Sequence, residues 1–435
     1  MPTPQNFHPS TPHPSVLIIG GGAAGMTAAI QASQSGAQVT VIEHKDRIGK
    51  KILSTGNGKC NFTNARMEAA CYRSLDPAFP MEVINRFGVR ETLDFFRSLG
   101  IYPRERSGYY YPASNQASSV LDVLRLALAE HNVNVICEEA PAHIEKTSKG
   151  SFRIRTAAHS YTADALILAT GGRAAPKTGS DGSGYALAKA FGHRIIRPLP
   201  ALVQLKCAEP YFKQLAGIRT EANVELLADN SPVASDQGEL QLTAYGISGI
   251  PVFQVSRYAS EYLEQGAKVT ARLDLLPGIS SGDLRSYLEA HTPDRYIGLC
   301  NKNLMQLLWK LSGGSKEEFA RLLKDFRVRV TGTNGFDSAQ VTAGGVDVRE
   351  IDPATMMSRL VHGLYFAGEL MDVDGICGGY NLQWAWSSGA IAGRSAASVI
   401  CSRPQTEKTR ANENKKPTFK SKSNETEQTC YRYSS

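Results

Sequence analysis

Four aliphatic residues, Val16 to Ile19, run straight into GGGAAG at Gly20 to Gly25, and no other stretch constrains this chain as strongly. An uninterrupted apolar run of this length suits a strand buried on both faces. The glycines follow the spacing Gly-x-Gly-x-x-Gly. Gly20 permits a tight turn, Gly22 lets a pyrophosphate approach the backbone, and Gly25 lets the next helix pack closely on the strand. That helix reads on as MTAAIQASQSG, with its N-terminal amides and dipole facing the phosphates. The β-rich run AQVTVIE follows and ends at Glu43, eighteen residues beyond Gly25. An acid there accepts hydrogen bonds from both hydroxyls of an adenosine ribose and repels a ribose 2′-phosphate. An adenine dinucleotide is the inference, with NAD and FAD both open.

The next stretch separates them. An NAD-only dehydrogenase continues its alternating strands and helices, whereas this chain turns to GKKILSTGNGKCNFTN at Gly49 to Asn64. Gly56 and Gly58, with Ser54 and Thr55, let backbone come close to a flat ligand. Lys51, Asn57, Lys59 and Asn61 bring polar groups to its edge. A flavin ring makes both demands. Further on, YTADALILATGG at Tyr161 to Gly172 returns a buried strand to the first sheet, and SFRIRTAAHSYTA before it reads as a small antiparallel insertion. GLYFAGELMDVDGICGGYNLQWAWSSG then supplies a strand, Glu369 after Gly368, a glycine-rich turn and a helix from about Asn381. The N-terminus of that helix suits negative charge at flavin N1 and C2=O. A dinucleotide domain split by a central insertion is the architecture of FAD enzymes.

The chain resembles the BaiN/YhiN-type FAD-dependent oxidoreductases, also described as aminoacetone oxidase-family FAD-binding enzymes. The likeness spans residues 15 to 400 and rests on GGGAAGMTAAI, GKKILSTGNGKCNFTN, LATGG with TGSDGSGYALAKAFGH, GELQLTAYGISGIPV, AQVTAGGV and GLYFAGELMDVDGICGGYNLQWAWSSG. It implies an α/β fold of the two-dinucleotide-binding-domain flavoprotein type. The FAD-binding domain is discontinuous and Rossmann-like, with an inserted substrate region that is part β-barrel-like and part helical. It also carries FAD contacts onto Gly20, Gly22, Ala24, Gly25, Glu43, the Lys51 to Asn61 stretch, Thr170, Gly368, Glu369, Asn381, Leu382 and Gln383. A histidine common in the family near LTAYG is replaced here by Ala244, so no catalytic role transfers to that position. The resemblance allows either NAD(P)H, as a transient co-substrate, or oxygen as the electron partner.

The expected boundaries are 1–14 as a disordered N-terminus and 15–195 as the first part of the FAD domain. The inserted domain spans 196–344, β-rich over 196–275 and 326–344 and helical over 276–325. The FAD domain resumes at 345–402, and 403–435 is a disordered tail. Ser281 and Ser315 are expected helix caps, and Leu304, Leu307, Leu308 and Leu311 a core stripe at helical spacing. TGSDGSG reads as a capped helix on the FAD domain, because no strand with a ribose-binding acid follows it. Tyr109, Tyr110, Tyr111, Tyr245 and Tyr380 are the candidate tyrosines for facing a flavin. No catalytic acid or base can be assigned.

Composition narrows the partners. Of the net charge of +7, the tail from 403 to 435 supplies +4, eight Lys/Arg against four Asp/Glu, so a nucleic-acid partner is disfavoured and a small-molecule substrate favoured. The eight cysteines form no Cys-x-x-Cys pair or zinc spacing, so no metal site is expected and a reducing compartment is. With no signal-peptide pattern and no membrane-spanning run, a cytoplasmic location is expected. A nonenzymatic flavin-binding redox protein is the reading from a different class.

Overall fold

The computed structural model describes residues 14–398. Apart from Pro14, the expectations for residues 1–14 and 403–435 lie outside the described residues.

Strand β1 (Ser15–Ile19), helix α1 (Ala23–Gln34) and strand β2 (Gln38–Ile42) form as the sequence reading expects. They belong to a five-stranded parallel sheet in the order Leu364–Phe366, Ala165–Leu168, β1, β2, Asn134–Ile136. From β1 the chain first builds outward through β2 and Asn134–Ile136. It then returns to the other side of β1 with the remaining two strands. The strand order therefore reverses beside β1, and in open parallel sheets ligands bind outside the carboxyl ends of the strands at such a point. The C-terminal helix Tyr380–Ser398 lies along α1 at backbone distance. A Cβ on Gly389 would sit 2.5 Å from the Ala24 carbonyl oxygen, and one on Gly393 2.2 Å from that of Ala28. Small residues on both helices are what allow this approach.

An antiparallel ribbon, Ile195–Ala201 against Val341–Val346, leads out of this half and back. Between its arms six strands close into a barrel in the order Leu205–Cys207, Gly246–Gly249, Ser231–Thr243, Arg219–Ala228, Val269–Asp274, Phe326–Thr333. Alternate residues point inward, as Val269, Ala271 and Leu273 do, and fill a core separate from that of the parallel sheet. Helices Ser281–Ala290, Lys302–Leu311 and Lys316–Lys324 pack on it. The expected small antiparallel insert is present and has three strands, His143–Lys146, Phe152–Arg155 and Ser160–Ala163.

Three local readings are corrected. The hydroxyl that caps Ser281–Ala290 belongs to Ser280, which accepts from the Asp283 amide at 3.1 Å. Leu311 ends its helix 45% exposed, so the buried stripe stops at Leu308. The region expected to be β-rich contains the 15-residue helix Ile250–Glu264. Pro251 in its first turn and the 3–4 spacing of Val252, Val255 and Ala259, all buried, explain it. Among the described residues no helix is long and apolar enough to cross a membrane.

Candidate functional site

The turn after β1 separates the three glycines of the Gly-x-Gly-x-x-Gly spacing by what surrounds them. A Cβ on Gly20, at φ +104°, would lie 2.5 Å from the Ala169 carbonyl oxygen, and one on Gly25 would lie 1.9 Å from that of Gly20. Protein backbone excludes side chains at both. At Gly22 a Cβ would meet nothing within 4 Å. The bareness of that position serves no contact among the described residues, as expected where a ligand approaches the backbone. Gly22 precedes α1, whose first intrahelical bond runs from the Met26 amide to the Gly22 carbonyl. Ala24 and Gly25 thus lie in the first turn, at the positive end of the helix dipole.

Flanking strands bring further groups level with this turn. At the end of β2 the buried Glu43 carboxylate accepts from the Gly21 amide at 2.8 Å and the Lys45 amide at 2.9 Å. Two bonds leave capacity for ribose hydroxyls. On the opposite side Thr170 follows Ala165–Leu168, with Gly184 tucked against it. Beyond it, Glu369 follows Leu364–Phe366, takes Lys51 Nζ at 2.7 Å and accepts from the Thr342 amide at 2.9 Å. Glu43, Gly20–Gly25, Thr170 and Gly368–Glu369 therefore stand at the carboxyl ends of four adjacent strands. The second glycine cluster does precede a helix, Ser183–Ala190. It also does something the sequence did not reveal: a Cβ on Gly179 would lie 3.6 Å from His44 and from Lys45, and Asp181 lies 3.6 Å from the His44 ring. This loop therefore closes over the Glu43 end of the site.

At the other end, Gly56, Asn57, Gly58 and Cys60 all have positive φ, between 54° and 82° for the glycines and at 53° and 56° for Asn57 and Cys60. Gly56 to Lys59 face outward, whereas Asn61 is buried with its Oδ1 lacking any partner among the described residues. An orphaned buried acceptor calls for a ligand or water. That oxygen lies 2.9 Å from where a Cβ on Gly379 would be, so the loop before the C-terminal helix presses against the Asn61–Asn64 segment. Asn64 Nδ2 donates to the Gly378 carbonyl at 3.0 Å. Asn381 fixes the same loop, exchanging hydrogen bonds with the Gly375 amide and carbonyl at 2.8 Å each.

Gln383 departs from its expected role. Its side chain is fully buried, accepting from Thr63 and donating to Thr92 and Ser387, so only its backbone belongs to the first turn of the helix. Leu382 packs, partly buried, on the core. What this helix offers a ligand is therefore its N-terminal amides.

Tyr109 and Tyr380 flank Gly378, at 2.9 and 3.1 Å from its Cβ position. Burial and a bond with Cys71 push the Tyr380 phenol above its ordinary range, and burial pushes Tyr111 up. Tyr245 is exposed, near the barrel turn. Burial pushes the thiols of Cys60 and Cys377 up to about 12, and both are free. Neither is a thiolate nucleophile at neutral pH.

Residues 14–395 match the family described as HI0933-like protein Rossmann domain. The chain belongs to this family. Within the HI0933-like family it is an FAD-dependent oxidoreductase of the kind its sequence resembles. A 3-dehydro-bile acid delta(4,6)-reductase of Clostridium scindens is 46% identical over 402 residues, covering 87% of this chain and 98% of that protein. A ribosomal RNA dihydrouridine synthase of Escherichia coli is 32% identical over 395 residues, covering 86% and 95%. Among solved structures, the open conformation of a flavocytochrome c3 fumarate reductase aligns with a TM-score of 0.48 at 16% identity, over 89% of this chain and 78% of that one.

Proposed function

We propose that this protein saturates a carbon–carbon double bond conjugated to a carbonyl in a small organic molecule, using FAD at the site described and NAD(P)H as electron donor. The observation that carries this is the 46% identity, across 98% of its length, to a protein named as a delta(4,6)-reductase of a 3-dehydro bile acid. That name describes a ring ketone with nearby double bonds. The relative named a dihydrouridine synthase also saturates a double bond in a ring that bears a carbonyl.

Bound FAD supplies a hydride from N5. The chain supplies the rest. The first turn of α1 holds the pyrophosphate, Glu43 the adenosine ribose, and Lys51 with Glu369 the ribityl and phosphate-proximal groups. The N-terminus of Tyr380–Ser398 steadies negative charge at N1 and C2=O. The double bond takes a hydride at one carbon and a proton at its neighbour. Tyr109, the more exposed phenol beside Gly378, is the group we assign to hold that proton at its Oη.

Anaerobic mixing of the yellow protein with NADH, NADPH or aminoacetone tests the reading. NAD(P)H is expected to bleach the oxidised-flavin band, and a 3-oxo-4,6-diene steroid acid to restore it. Restoration by uridine-containing ribosomal RNA alone would move the substrate to nucleic acid. Bleaching by the amine alone, with oxygen restoring the band, would make the protein an oxidase. A preparation that neither contains nor takes up FAD would sink the cofactor assignment.

A further inference from the structure

Helix Ile250–Glu264 buries Val252, Val255 and Ala259 in the barrel core. Another side of it meets the loop that leads into the C-terminal helix. Gln254 Oε1 accepts from the Cys377 amide at 2.9 Å. One turn on, Arg257 Nε lies 3.0 Å from both carboxylate oxygens of Asp374, which is 3% exposed. Arg257 Nη1 reaches Glu261 at 3.2 Å. Tyr258 accepts from Arg73 Nε at 3.4 Å, and Arg73 is the ladder partner of Asp374. Helical spacing of three and four residues places Gln254, Arg257, Tyr258 and Glu261 together.

Asp374 begins the segment that ends at Gly379, against the orphaned Asn61 oxygen, and hands over to the first turn of Tyr380–Ser398. We propose that Arg257 is a positioning residue for the cofactor: through Asp374 it lets the barrel half hold the 374–380 loop, and with it the helix amides, in the geometry that binds FAD. This rests on the FAD reading above. The chemistry of the pair supports a role other than stability. Asp372 and Asp374 are both buried in one short stretch, and burial pushes both carboxyls up, Asp374 to about 6. Buried ion pairs contribute little net stability, yet removing one partner strands the other. The charged groups acting on Asp374 are Arg257 from the helix, itself paired with Glu261, Arg73 from the ladder and Asp372 from its own segment, and among the described residues Arg257 supplies its one direct ionic bond.

The test compares full-length wild type, R257M, R257K and Q254A in three measurements. These are the FAD dissociation constant from flavin fluorescence, hydrogen exchange of residues 371–383 in the FAD-free protein, and thermal unfolding as a fold control. R257M is expected to bind FAD roughly tenfold more weakly, about 1.4 kcal/mol, with R257K recovering most of that and Q254A losing about threefold. Exchange should quicken over 374–383 in R257M and Q254A while the barrel strands keep their protection. FAD affinity and exchange within about twofold of wild type in both R257M and Q254A would overturn the proposal. If R257M does not fold, Q254A, which removes a single hydrogen bond, decides alone. Failure of wild type to bind FAD would instead remove the cofactor reading.

Discussion

Two glycine clusters stand at opposite sides of one site, and they are glycine-rich for different reasons. In Gly20–Gly25 three of the four glycines, Gly20, Gly21 and Gly25, are hemmed in by protein, and the fourth, Gly22, faces nothing among the described residues. In the Thr178–Gly184 segment the strongest constraint is internal: a Cβ on Gly184 would fall 1.8 Å from Thr170 Oγ1 and 2.8 Å from its Cβ. The first cluster leaves one position bare, as our proposal that a pyrophosphate approaches there requires, and the second leans on Thr170 and on the His44–Lys45 end of the site. A glycine pattern alone cannot separate these cases. The volume that a methyl group would enter can.

The comparison is most easily broken at Gly25. Gly25→Ala puts its methyl against the Gly20 carbonyl, backbone on backbone, where neither side can rotate away. We expect a loss of about 4 kcal/mol or more, most of the stability of a typical domain, read as absence of a cooperative unfolding transition. A well-folded Gly25→Ala protein would show that helix and turn need not meet this closely.

A third glycine group, Gly375, Gly378 and Gly379, sits on a loop that charge holds from one end, and pH sharpens the contrast with packing. Burial, partly offset by Arg257, raises the Asp374 carboxyl from 3.8 to about 6. Between these values the folded chain keeps a proton that the unfolded chain has released. This group's contribution to stability therefore falls as pH rises from about 4 to about 6, by roughly 3 kcal/mol in all. Asp374→Asn removes the term. Its stability relative to wild type, from urea unfolding, should improve across that window, and a pH-independent difference would contradict the assignment.

Next in size is Gly184→Ala. The clash is with a side chain, and overpacking of this kind costs about 1–3 kcal/mol. Thr170→Gly in the same chain should recover most of the loss, because it removes the two nearest of the three atoms the methyl meets and leaves Leu370 Cδ1, at 3.1 Å, as the remaining close contact. A thermal shift in the single variant that the double variant fails to reverse would place the cost elsewhere.

What the sequence made legible follows the range of the interactions. The β1–α1–β2 unit and the barrel-facing strands carry periodic local signals, so their elements are readable. Helix Ile250–Glu264 was missed because IPVFQVSRYASEYLE mixes β-branched and aromatic residues within a strand-rich region, and only its packing on the barrel fixes the helical period. Gln383 was expected at the cofactor, but its orientation is set by Thr63 and Thr92, roughly 300 residues away in sequence, at separations of 320 and 291. Arg257 and Asp374 are 117 residues apart, and nothing near either one announces the other. Placement that follows from local backbone geometry is legible in the sequence. Placement that follows from tertiary pairing is not.

The smallest expected effect on the fold is at Gly22, and it divides the two kinds of glycine most cleanly. Gly22 has φ −79° and ψ −169°, a conformation any residue adopts, and a Cβ there meets open space. Gly22→Ala should therefore shift unfolding of the FAD-free protein by less than about 1 kcal/mol, the scale of an N-cap change from glycine to alanine. The same methyl would stand where the pyrophosphate must approach the backbone, so FAD affinity should fall by roughly tenfold or more while the fold persists. Titration of FAD into the folded variant measures this directly. If Gly22→Ala binds FAD as wild type does, the bare position is an accident of the turn, and the phosphates lie elsewhere along the strand ends. If it destabilises the FAD-free protein as Gly184→Ala does, then Gly22 also serves internal packing, and the distinction between the two clusters fails.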